Sequence, residues 1–136
     1  MDPLLLARTA VCAFFAILFF QSGLDKVVDW KGNLEWLTGH FKSTFFSKAT
    51  PLLLGVMTAM ELLTCLVSAF AIVTLWTAGP PEAPMVALTL ACASLLMLFT
   101  GQRFAKDYAG AATLATYFAV ALLGLTLMHD WTKPIP

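Results

Sequence analysis

The sequence predicts an all-α membrane protein, a bundle of four transmembrane helices with a short interfacial helix after the first. Three observations predict it. Of 136 residues, 60% are hydrophobic and only 12% charged, about half the charge of a soluble domain, and the mean hydropathy is +0.83. Four apolar stretches reach the roughly 20 residues that a helix needs to cross a bilayer core. None of them alternates polar and apolar positions as a barrel strand would. The length allows one compact unit. Eight basic residues cancel eight acidic ones, so no charge excess attracts a polyanion and no nucleic-acid partner is expected.

The first span covers about residues 4–24 and holds a single charge, Arg8. Its flank, Met1-Asp2-Pro3, lacks the positive cluster of a secretory leader, and Gln21-Ser22-Gly23 is a poor cleavage site, so a retained helix is expected. In the loop that follows, Trp30, Leu34, Leu37, Phe41 and Phe45 recur at helical spacing and define one face. Lys31, Glu35 and Lys42 fall away from it. A short helix lying in the membrane interface fits this pattern, weakened or broken by Gly32 and Gly39. A lid that packs on the bundle and touches no ligand is the plainer alternative.

The second span opens at Thr50-Pro51, a polar cap followed by proline at the first helical position. It runs to about residue 77, where Gly79-Pro80-Pro81 removes backbone donors and stops the helix. The third span covers about residues 84–102. The fourth covers about residues 108–128 and ends at His129-Asp130-Trp131. Gly55 with Ala59, and the stripe Ala111, Ala115, Ala119, are the small residues expected where helices approach closely.

Basic residues set the orientation. Lys26, Lys31, Lys42 and Lys48 lie in the first loop and Arg103 and Lys106 in the third, against Arg8 and Lys133 on the other side. That asymmetry predicts cytoplasmic first and third loops and both termini outside.

Polar residues then mark two regions. The first span ends Phe20-Gln21-Ser22-Gly23-Leu24-Asp25-Lys26, and the third ends Phe99-Thr100-Gly101-Gln102-Arg103, followed by Lys106-Asp107-Tyr108. The two cassettes form a faint parallel repeat. Both fall on one membrane face, so Gln21, Ser22, Asp25, Lys26, Gln102, Arg103, Lys106, Asp107 and Tyr108 are candidates for a polar rim that binds a headgroup or partner. Simple anchoring to water and headgroups is the alternative. The second region is Glu61. It lies about ten residues into its span, roughly 15 Å deep at 1.5 Å per residue, where a carboxylate must face the bundle. Tyr117 on the fourth span and Arg8 from the opposite side are its expected partners. Such a bond either fixes helix rotation or forms a quinone or proton site.

Other chemistries have no residues to carry them. His40 and His129 belong to opposite faces and cannot share a haem. Cys12, Cys65 and Cys92 sit on three separate spans without redox or metal spacing, and no metal site is expected. No phosphate loop or nucleophile elbow is present.

The pattern Arg8, then Phe20-x-Ser22-Gly23-x-x-Lys26, resembles the DoxX family of small four-helix membrane proteins. An aromatic-rich first loop, a proline-started second span with Glu61 inside it, a short hinge, and Lys106-Asp107-Tyr108-Ala109-Gly110-Ala111 extend the resemblance over nearly the whole chain. The family takes its name from a subunit associated with a thiosulfate:quinone oxidoreductase. The resemblance implies a small accessory or quinone-contacting subunit of a bacterial redox complex, without a redox centre of its own. It implies contacts with membrane lipids and larger redox subunits, and is compatible with a homo-oligomer. No cofactor is expected to be covalently bound; quinone is the candidate ligand. A stand-alone quinone-linked oxidoreductase or a small carrier using Glu61 is the second expectation, and a purely structural subunit the third.

Overall fold

A computed structural model describes residues 2–77 and 79–129. Five helices follow in order, α1 (Pro3–Val28), α2 (Trp30–His40), α3 (Thr50–Trp76), α4 (Ala83–Phe104) and α5 (Tyr108–Met128), with a 3-10 turn at Phe45–Lys48. Among the described residues there is no strand. The four long helices are each apolar and long enough to cross a membrane, as the composition predicts. Lys133 and the prolines beyond the fourth span lie outside the described residues.

Local chemistry sets the helix ends. Asp2 caps α1 by accepting the Leu4 N–H at 2.9 Å, with Pro3 in the first turn, where its missing donor costs nothing. α1 continues past the expected end near residue 24 to Val28, which keeps Asp25 and Lys26 helical. Asp29 then ends α1 and caps α2, accepting the Gly32 N–H at 3.0 Å. A Cβ at position 32 would collide with that carboxylate, so Gly32 permits the cap and does not break α2. The helix stops at His40, just after Gly39.

Two details depart from expectation. Thr50 is the first residue of α3, not its cap, and its hydroxyl donates back to the Ser47 carbonyl at 3.0 Å. Phe45 leaves the aromatic stripe because the chain has already turned into the 3-10 segment, where it is 93% exposed. Leu37 and Phe41 do pack inward, on Leu54 of α3.

α1 packs chiefly on α3, α3 on α4, and α4 on α5, while α1 and α5 meet more sparingly. The central core joins Phe15 and Phe19 of α1 to Leu88, Ala91 and Leu95 of α4 and Ala121 of α5. Cys12, Ala71, Ala83 and Ala87 form a second apolar cluster. At that same end Trp76 Nε1 donates to Thr9 Oγ1 at 3.0 Å, and Arg8 Nε donates to the Leu127 carbonyl at 2.7 Å. A cation on the last turn of α5 satisfies an orphan carbonyl and suits the helix dipole.

The small residues work differently from the expected stripe. Ala115 and Ala119 are exposed, whereas Ala111, Ala121 and Gly124 are buried. A strict spacing of four drifts about 40° per step around a helix with 3.6 residues per turn, so the stripe runs off the packed face. At Gly124 a Cβ would lie 2.6 Å from Val11 and 2.9 Å from Leu88, which makes this the close approach of α5 to α1 and α4.

Candidate functional site

α3 is polar on its buried side. Thr58, Glu61, Thr64, Ser68 and Thr74 are buried, while Leu52, Leu63, Leu66, Phe70 and Val73 are exposed. In water this arrangement would be inverted; in lipid the apolar side needs no cover and the polar side must be hidden. Most of the hydroxyls are satisfied locally. Thr58 donates to the Leu54 carbonyl and Thr64 to the Met60 carbonyl, both at 2.7 Å, and Thr64 also bonds Ser94 of α4 at 2.9 Å.

Glu61 has no accessible surface. Its partners are Ser22 and Lys26 of α1, one helical turn apart and therefore on one face. Ser22 Oγ donates to Oε1 at 3.0 Å, and the Lys26 ammonium lies 3.1 Å from Oε1 and 2.9 Å from Oε2. The ammonium also donates to the Ser22 carbonyl at 3.0 Å and to Ser22 Oγ at 2.9 Å. Its three protons thus face three acceptors. Oε2 keeps the ionic contact but has no hydrogen bond of its own.

This pairing corrects the expected partners of Glu61. Arg8 is bound at the far end, to Leu127. Tyr117 lies edge-on to Phe14, with ring centroids 5.9 Å apart, beside the central apolar core. The extra turn of α1 brings Lys26 to Glu61. Gly23 allows the approach, because a Cβ there would lie 2.7 Å from the Leu62 side chain.

Beside the ion pair is a cavity of about 380 Å³ lined by all five helices. Lys26 and Glu61 border it, with Asn33, Trp36 and His40 of α2 and Gln102 of α4 as the other principal polar and aromatic groups. The accessible member of the pair is Lys26, whose side chain is 14% exposed. His40 Nε2 lies 2.8 Å from Gln102 Oε1. With the Gln102 oxygen turned to the ring the imidazole is the donor, and the two amide N–H groups of Gln102 stay free for a further acceptor. Trp36 stacks on the His40 ring at 4.6 Å. The remaining walls, including Leu37, Leu54, Met57, Leu98 and Leu114, are apolar.

The predicted rim divides. Ser22, Lys26 and Gln102 converge on the cavity. Gln21, Asp25, Arg103, Lys106 and Tyr108 are exposed, with Arg103 over the Tyr108 ring at 4.8 Å. Asp107 caps α5, accepting the Gly110 N–H at 2.9 Å, while its own N–H donates to the Gln102 carbonyl at 2.9 Å. Lys106 adopts a left-handed backbone, φ 60°, which closes the tight α4–α5 connection. The Lys106–Ala111 stretch is therefore a turn and helix cap that fixes Gln102.

Asn33, Trp36 and His40 were not foreseen as site residues. They recur at spacings of three and four, a second face of α2 beside the Leu37–Phe41 face, and that periodicity was the available signal. Cys12, Cys65 and Cys92 are free thiols. Among the described residues, no group of three or more His, Cys, Asp or Glu side chains is placed to hold a metal ion. No known protein family, curated protein or solved structure matches the chain.

Proposed function

We propose that this chain is an accessory, quinone-contacting subunit of a bacterial redox complex in the inner membrane, with the quinone head in the cavity beneath α2. The observation that carries this reading is the character of the cavity. Its walls are mostly apolar, its volume lies within the roughly 300–1,000 Å³ of small-molecule sites, and polar side chains reach it from separate helices, Lys26 on α1, His40 on α2 and Gln102 on α4, with the Gln102 amide N–H groups left to donate. Lys26 and Glu61 cancel each other's charge, so the cavity favours a neutral ligand with hydrogen-bond acceptors over an ion. A quinone ring with its carbonyl oxygens has that chemistry. The DoxX-like pattern of Ser22, Gly23, Lys26 and Glu61 supports the same reading, since three of the four build the site and Gly23 permits it.

The electrons belong to partner subunits, because the sequence offers no ligand set for a redox centre. Within this reading α2 lies in the cytoplasmic interface, where the exposed Trp30 and Trp36 sit at headgroup depth. Purification of the tagged native protein in gentle detergent, followed by mass spectrometry of proteins and lipids, tests it. Stoichiometric redox subunits are expected. A clean homo-oligomer that carries only phospholipid contradicts the reading.

The buried polar side of α3 favours a second reading, a small carrier that uses Glu61. Against it, the apolar cluster of Cys12, Ala71, Ala83 and Ala87 interrupts that polar side at the end away from the cavity. Solute or proton flux into proteoliposomes, abolished by Glu61→Gln, would favour the carrier.

A further inference from the structure

The head cavity has a neighbour. A second cavity of about 280 Å³ lies between α3 and α4 and shares Phe41, Met57 and Gly101 with the first. Beyond those three its walls are almost wholly apolar, with Leu53 on α3 and Leu96 and Met97 on α4. The one hydroxyl along it, Thr100, is already committed to the Leu96 carbonyl at 2.7 Å. Leu96 is 49% exposed, so the groove opens on the outer surface of the bundle, which lipid covers in a membrane.

Phe41, Met57 and Gly101 form the wall that the two cavities share. A Cβ at Gly101 would lie 3.2 Å from Phe41 Cζ, so the bare surface of α4 at Gly101 is what lets the phenyl ring occupy this place. Phe41 is the C-cap of α2, and Met57, the other shared wall, is unbranched and conformationally adaptable. The groove offers a polar group little to bond, the Thr100 oxygen, whereas a hydrocarbon chain leaves the bilayer for it at little cost, since lipid tails are as apolar as leucine.

We propose that the α3–α4 groove is the exit for the apolar tail of the molecule whose head occupies the main cavity, which makes the ligand a tailed, membrane-resident quinone. The proposal rests on the quinone reading above. Adjacency carries it: the two cavities share a wall of Phe41, Met57 and Gly101, one cavity polar at its base and the other apolar and open to lipid. Because tail burial gains little over the bilayer, the groove acts as a passage. A tailed molecule can seat its head only if the tail has a way out.

The test uses the full chain in nanodiscs and the quenching of Trp36 fluorescence, with the other tryptophans replaced by phenylalanine. Two probes share one benzoquinone head, the first with a methyl substituent and the second with a long alkyl tail. Met97→Phe together with Thr100→Phe narrows the groove without adding a tryptophan or altering a residue of the head cavity. The double variant should leave the methyl probe's affinity unchanged and weaken the tailed probe at least about tenfold, a difference of about 1.4 kcal/mol. Thr100→Phe alone, at the exposed mouth, serves if the double variant does not fold. Equal loss or no loss for both probes overturns the tail passage; no loss is the result expected if a bilayer acyl chain occupies the groove. If neither probe quenches Trp36 in the otherwise unmodified chain, the quinone reading itself fails and the passage falls with it.

Discussion

The Lys26–Glu61 pair is where single residues matter most. A carboxylate without accessible surface is tolerable because an ammonium and a hydroxyl meet it there. Removing one partner leaves the other charge uncompensated in a low-dielectric interior, typically at a cost of about 3–5 kcal/mol. Lys26→Met should therefore lower stability by about that amount, read by denaturant or thermal unfolding in detergent. Lys26→Met with Glu61→Leu should recover most of the loss, since a buried ion pair is often replaceable by apolar side chains. An additive double variant would show that the two residues do not act as a pair. Glu61 was legible as buried from its depth in an apolar run. Its partner was not, because Lys26 stands beyond the expected end of the first span and enters only through the extra turn of α1.

At the scale of elements, α3 and α5 show what periodicity reveals. The buried polar residues of α3 follow helical spacing through Thr58, Glu61, Thr64 and Ser68, but a hydroxyl can bond back to its own helix and so signals burial less sharply than an acid does. Ser68 Oγ is buried without a partner among the described residues. Ser68→Ala should be neutral or stabilising by up to about 1 kcal/mol, because it removes an unsatisfied polar atom. A loss above about 1 kcal/mol would mean that the hydroxyl is bonded in the membrane, to water for example. Gly124→Leu should destabilise by about 1–3 kcal/mol through overpacking against Val11 and Leu88, while Ala115→Leu on the exposed side should change unfolding little. The spacing-of-four stripe misled because a regular sequence pattern is not a helix face unless it follows 3.6 residues per turn.

For the whole molecule, the apolar runs and the Pro and Gly residues that flank them supplied four helices, their order and their approximate ends. The joining of α2 to the bundle was only half legible. Its Leu37–Phe41 face was visible, but the Asn33–Trp36–His40 face acquires meaning only once α4 places Gln102 opposite. In the orientation that the basic residues predict, Lys42, exposed between α2 and α3, would face the cytoplasm. Lys42→Cys should resist a membrane-impermeant thiol reagent in intact spheroplasts and react after lysis; labelling of intact spheroplasts would invert the topology. The cavity beneath α2 is the centre of the account, and its most direct test is the quinone retained by the purified protein. Lipid extracts of the unmodified chain, of His40→Ala and of Gln102→Leu, prepared in the same gentle detergent, are quantified by mass spectrometry. The account predicts near-stoichiometric quinone with the unmodified chain and its loss from both variants, with unfolding temperatures little changed. Equal quinone in all three, or none in the unmodified chain, would contradict it.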